Sequence, residues 1–174
     1  LARIDSGQVR LHVERVDVPE LLRDLELQYR PVAESRGLDF RVHVCEGSFL
    51  TDPIRVRRMI GNLLANAIKY TTEGGVLLAA RKTRDGLRVE VWDTGIGIAP
   101  EHLRDVFLEF YKVADHAGTS DGFGLGLAIV ARLSHVLGHP VSVRSRLGSG
   151  SVFRVALHDA DEAVAQARVT ASGG

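Results

Sequence analysis

The chain has 174 residues, 45 % of them hydrophobic, which is enough to fold around one core of ordinary size. Its 22 basic and 22 acidic side chains balance, removing the electrostatic case for nucleic acid or an anionic membrane surface; any anion must be held by a locally built site. A single cysteine, Cys45, excludes an internal disulfide framework or thiolate metal cluster, and no apolar run approaches the ~18 residues of a membrane span.

In chain order, "LARIDSG" begins as a short helical piece and breaks at Ser6-Gly7; its first residue is Leu, as expected of a piece of something longer. "VRLHVERVDV" alternates apolar and polar residues, the period of a strand. In "VPELLRDLELQYRPVAESRG", Leu21, Leu22, Leu25 and Val32 have helical spacing, with Pro19 near the start and Gly37 past the end. Pro31 predicts a kink there, or a division in two. "LDFRVHVC" and "SFLTD" are strand candidates, and Asp52-Pro53 suits the start of a helix over "GNLLANAIKY". "GVLLAARKT" and "GLRVEVWD" flank the hairpin signal Arg84-Asp85-Gly86. A loop-rich stretch follows, with a short helix expected from Glu101 to Phe107. "FGLGLAIVARLSHVLG" reads as an apolar helix, and "PVSVRSRLGSGSVFRVAL" as two strands around a Gly-Ser-Gly turn. The polar tail after His158 reads as a frayed end or linker. This mixture, with hairpin-joined strand pairs, argues for an α+β sandwich: one sheet with helices packed on one face.

Polar residues interrupt the first apolar helix in a regular way. On a wheel of about 100° per residue, Val56, Ile60, Leu63, Leu64 and Ala67 form the core stripe, while Asn62, Asn66 and Lys69 share another narrow arc. Asparagine is a poor helix-interior residue unless its amide has something to bind. Neutral amide oxygens suit Mg²⁺, and an ammonium group beside them suits a phosphate oxygen. No carboxylate on this arc would repel a polyphosphate.

Two glycine-rich loops add to this. "VWDTGIGIAP" sets Asp93 at a strand end before Gly95 and Gly97, so that a flat ring can approach the backbone while the carboxylate accepts from an exocyclic amino group. Adenine offers an amino group where guanine has a carbonyl. "DGFGLGLAIV" places Gly122, Gly124 and Gly126 at the mouth of a helix, an anion-binding arrangement whose spacing is neither the dinucleotide fingerprint nor the P-loop.

In order, these segments resemble the catalytic and ATP-binding domain of sensor histidine kinases over residues 10–158. "NLLANAIKYT" is similar to the family's N box, "DTGIGIAP" to its G1 box, "FLEFYKV" to its F box, "GFGLGLAIV" to G2 and "GSGSVF" to G3. The resemblance implies the Bergerat fold, a two-layer α/β sandwich with a mixed sheet of about five strands and helices on one face. It implies ATP and Mg²⁺ as cofactors, with Asn66 on the metal, Asn62 as a further polar contact, Lys69 on phosphate and Tyr70 by the nucleoside. Asp93 would bind the adenine amino group, with Gly95, Gly97 and Ile98 shaping the pocket. Phe110 would anchor an ATP lid over residues 112–121, and Lys112 would reach the γ-phosphate. Gly122, Gly124, Leu125, Gly126 and Leu127 would form the lid's far hinge and the phosphate-binding helix start. Ser151 stands where the family usually has threonine, its hydroxyl near Asp93. Phe123 in G2, and Leu108 and Glu109 in the F box, depart from the usual pattern.

The hydrolytic members of the superfamily place a glutamate one turn before the magnesium asparagine; Asn62 stands there and cannot serve as a base. The resemblance therefore implies phosphoryl transfer to a histidine. None of His12, His43, His102, His116, His135, His139 and His158 has the acceptor's expected context, and His139 reads as turn. Residues 1–9 resemble the end of an upstream dimerisation helix and its linker. The expected partners are that phosphoacceptor domain and a downstream response regulator, in the cytoplasm, with homodimerisation only in the full-length protein. A serine/threonine kinase of the anti-sigma type and a nucleotide-binding regulatory module are the alternative readings.

Overall fold

A computed structural model describes residues 10–107 and 126–159. The strands are β1 (Glu14–Asp17), β2 (Asp39–His43), β3 (Ser48–Thr51), β4 (Gly75–Thr83), β5 (Gly86–Asp93), β6 (Val141–Arg146) and β7 (Gly150–Leu157). The helices are α1 (Val18–Ser35), α2 (Pro53–Lys69) and α3, described from Gly126 to Leu137. Five strands form one mixed sheet in the order β2-β4-β5-β7-β6, with β2 parallel to β4 and the other pairs antiparallel. The parallel pair follows from the intervening α2, because neighbours joined by a crossover run the same way.

Alternation along the strands sends one set of side chains to the helices. Phe40, Val76, Leu78, Ala80, Val89, Val91, Phe153 and Val155 are buried against Leu21, Leu22 and Leu25 of α1, Val56, Ile60, Leu63, Leu64 and Ala67 of α2, and Val130 and Leu133 of α3. The opposite, helix-free face carries Arg81, Arg88, Trp92 and Arg154, gathered over a Glu90 carboxylate that is only 1 % exposed.

The observed fold departs from the sequence expectations in four places. First, β1 and β3 form a separate antiparallel two-stranded sheet rather than joining the main one. β1 is also shorter than its alternating pattern, since residues 10–13 are not in strand conformation, and its last residue, Asp17, caps α1 by accepting from the Glu20 N–H at 3.2 Å. Second, α1 runs unbroken through Pro31, whose ring removes one helical hydrogen bond without dividing the helix. Its last turn buries Ala33, three turns beyond Leu22, and leaves Val32 47 % exposed.

Third, no α-helix covers residues 101–107. Contacts of the i→i+3 kind, His102 N–H to Ala99 O and Leu103 N–H to Pro100 O, tighten Pro100–His102 into a 3₁₀ turn. Phe107 then meets Phe153 edge-on. Fourth, His139, read as turn, follows α3 but is fully buried, its Nε2 sharing a hydrogen bond with Thr51 Oγ1 at 2.8 Å and its ring edge-on to Phe49. Burial holds its pKa down at about 4.

Candidate functional site

The site is built around the C-terminal end of α2. Asp52 caps this helix by accepting from the Arg55 N–H at 3.1 Å, with Pro53 in the first turn. Gly61 is buried because the Tyr29 hydroxyl lies 2.6 Å from where a Cβ would stand, which lets α1 lie close against α2. With the core stripe inward, Asn62, Asn66, Lys69 and Tyr70 are all half-buried on the helix flank. Among the described residues neither asparagine amide has a hydrogen-bond partner. The Lys69 Nζ lies 5.4 Å from the centre of the Tyr70 ring.

The loop after β5 is hydrogen-bonded to this helix end. Ile96 N–H donates to Tyr70 O at 3.2 Å, and the buried Thr71 hydroxyl donates to Ala67 O at 2.7 Å. A Cβ on Gly95 would stand 2.4 Å from Tyr70 O and 2.9 Å from the Asp93 carboxylate, so only glycine allows the loop to pass there. Gly97 has φ +71°, and a Cβ on it would strike Arg146 O at 2.1 Å. These two positions explain in steric terms why the loop carries a Gly-x-Gly.

Asp93 ends β5, in register with Ser151 of β7. Its carboxylate accepts from the Gly95 N–H at 2.9 Å, and the nearby backbone N–H of Ser151 also favours its charge. Burial raises its pKa above the ordinary carboxylate value, and these two N–H groups pull the other way. Ser151 therefore meets Asp93 through its backbone, while its hydroxyl pairs with Ser145 Oγ at 2.7 Å. Ser145 also accepts from the N–H of the half-buried Ile98 at 2.7 Å. Nothing marked Ser145 or Thr71 in the sequence; a serine in an alternating strand and a threonine after a helix are common.

The structure thus brings Tyr70, the end of α2, Asp93 of β5, Ser151 of β7 and the loop with Gly95, Gly97 and Ile98 into one neighbourhood. Gly126 and Leu127 are half-buried in the first described turn of α3, which packs on α2. Phe110, Lys112, Gly122, Gly124 and Leu125, with the expected lid, Leu108, Glu109 and Phe123, lie outside the described residues. For a magnesium ion the donor chemistry fits. Among the described residues the two amides have no partner; neutral and half-buried beside an ammonium group, they suit a hard cation that keeps water and shares phosphate oxygens. No cluster of three His, Cys, Asp or Glu among the described residues offers a competing metal cage.

The fold and the sequence both have counterparts among known proteins. Residues 51–161 match the family model of histidine kinase-, DNA gyrase B- and HSP90-like ATPases. The chain is 35 % identical over 162 residues to the aerobic respiration control sensor protein ArcB of Escherichia coli K12, covering 90 % of this chain and 21 % of ArcB. It is 32 % identical over 167 residues to the autoinducer 2 sensor kinase/phosphatase LuxQ of Vibrio vulnificus YJ016, covering 90 % and 19 %. To the Staphylococcus aureus sensor protein SrrB it is 35 % identical over 163 residues, covering 90 % and 27 %. The chain thus spans about a fifth to a quarter of the length of these relatives. The crystal structure of full-length ShkA with AMPPNP superposes with a TM-score of 0.78 at 35 % identity, over 91 % of this chain and 34 % of ShkA. The mycobacterial sensor histidine kinase MprB, at 24 % identity and a TM-score of 0.71, shares the fold over 83 % of this chain and 95 % of its own. The chain belongs to the histidine kinase-, DNA gyrase B- and HSP90-like ATPase family, and within it to the histidine kinase catalytic domains.

Proposed function

We propose that the domain binds Mg²⁺-ATP between the end of α2 and the loop after β5, and transfers its γ-phosphoryl group to a histidine of a separate phosphoacceptor domain. The observation that carries this reading is the placement of Asp93. A half-buried carboxylate, held by the Gly95 N–H and faced by glycines, is a suitable acceptor for the adenine amino group. Tyr70 flanks the nucleoside, and Ile98 closes the base pocket. Asn66, supported by Asn62, would hold the magnesium ion, which when bound neutralises charge on the polyphosphate. Lys69 binds a phosphate oxygen, as does Lys112 from the lid anchored at Phe110. The N–H groups around Gly122, Gly124, Leu125, Gly126 and Leu127 cradle the phosphates.

In the transfer itself, a neutral imidazole nitrogen gives its lone pair to the γ-phosphorus. The bond from that phosphorus to the bridging oxygen breaks, and ADP leaves with the electron pair. The imidazolium then loses its other N–H proton to a base outside this domain. Asn62 does not activate water, so transfer is favoured over hydrolysis. The phosphoryl group would pass on to a response regulator, on the cytoplasmic side where ATP is supplied, and dimerisation would belong to the acceptor domain.

Asn66→Ala in a kinase that includes the acceptor domain tests this. Autophosphorylation should fall at least about a hundredfold while the domain keeps its thermal unfolding midpoint. Retained autophosphorylation would remove Asn66 from the metal site, and an acid-stable phosphoprotein would mean a serine or threonine acceptor.

A further inference from the structure

Ser145, on β6, has no place in the reading above, yet its hydroxyl joins both segments that hold Asp93. It accepts from Ile98 N–H at 2.7 Å, reaches Gly150 O at 3.0 Å and lies 2.7 Å from Ser151 Oγ. A hydroxyl has one proton and two lone pairs. Donation to Gly150 O, with acceptance from Ile98 N–H and from the Ser151 hydroxyl, uses all three at once. The two receiving segments are the ones that matter for the base. Ile98 ends the loop whose Gly95 N–H binds Asp93, and Ser151 is the residue that faces Asp93 across the β5–β7 pair. The only other tie from this loop to the hairpin among the described hydrogen bonds is Gly148 N–H to Ile96 O at 2.7 Å.

We infer that Ser145 is a positioning residue for purine recognition: it locks the loop after β5 to the β6–β7 hairpin, and so fixes where the Asp93 carboxylate points. The inference rests on Asp93 as the base-binding group. Removing the hydroxyl would leave the Ile98 N–H without its partner and free the loop to shift relative to Ser151. Phosphate binding, which belongs to α2 and the helix mouth, would not sense this.

The test measures affinity of the 174-residue chain for ATP and for inosine triphosphate, which differs from ATP in carrying a carbonyl in place of the amino group. Isothermal titration would be run on the wild-type chain, Ser145→Ala and Ser145→Thr. The expected result is that wild type prefers ATP, and that Ser145→Ala binds ATP about tenfold more weakly while its affinity for inosine triphosphate changes less than about twofold. Ser145→Thr, which keeps the hydroxyl, should retain the wild-type preference. Equal weakening toward both nucleotides would assign Ser145 a merely structural role, and no change toward either would remove it from the site; both overturn the inference. A wild-type chain that binds ATP and inosine triphosphate equally would overturn the role of Asp93 itself, and with it the role of Ser145.

Discussion

Asp93 occupies a position that works against its own charge. Burial raises its pKa, and the N–H groups of Gly95 and Ser151 offset that only in part. Asp93→Asn is nearly the same shape and removes the desolvation cost, so the unfolding midpoint should hold or rise slightly. ATP affinity, measured by titration, should fall at least about tenfold, because one face of the amide now presents a donor to the adenine amino group. Unchanged affinity would place the base elsewhere. Asp93, Gly95 and Gly97 were legible because a strand end followed by two spaced glycines restricts what the chain can do. Ser145 was not legible: its role depends on β6 and the loop after β5 meeting in space across 47 residues of sequence. Ser151 was half legible; its neighbourhood was expected, but its hydroxyl turns to Ser145.

At the level of elements, α2 is the one on which most else depends, since it carries the core stripe, the amide pair and the anchor for the loop after β5. Its cap is unusually loaded. Asp52 accepts from the N–H groups of Arg55 and His12 and pairs with the Arg55 guanidinium at 2.6 Å. Burial opposes its charge, but these partners outweigh it and hold the pKa below the ordinary carboxylate value. Asp52→Ala should therefore cost about 2 kcal/mol, more than an exposed cap, because the part-buried bonds from the His12 and Arg55 N–H groups lose their acceptor. Chemical denaturation at neutral pH checks this; a loss under about 0.5 kcal/mol would mean water replaces the carboxylate. α2 and the two hairpins were readable because periodicity and turn residues act locally. The β1–β3 sheet was hidden, since no local pattern says which sheet a strand joins. The 3₁₀ turn was hidden as well, because Leu103, Val106 and Phe107 have spacing that suits either helix type.

The whole molecule should respond to mild acid through His139. Its pKa is lowered to about 4 from 6.5, by burial first and by the nearby His158 second, so the native state binds fewer protons than the unfolded chain between those values. Its contribution is complete above pH 6.5 and is lost as pH falls toward 4, roughly 3 kcal/mol in all. Asp52 and Glu90, both with lowered pKa values, lose their contributions only as pH falls further, through their folded values; Asp93, shifted upward, acts in the opposite direction. Denaturant midpoints should therefore decline across the window from 6.5 to 4, and His139→Gln should flatten that decline while lowering stability at neutral pH. A flat wild-type profile would show that His139 accepts a proton without strain. The helix-free sheet face has a different consequence. The sequence contains one tryptophan, and Trp92 precedes Asp93 on the same strand, its indole N–H bonded to Glu90 at 3.2 Å and the Arg154 guanidinium 5.7 Å from its ring centre. The domain therefore carries its own fluorophore on the reverse side of the strand that ends at Asp93. Ultraviolet emission from this single indole reports the state of that strand without a label.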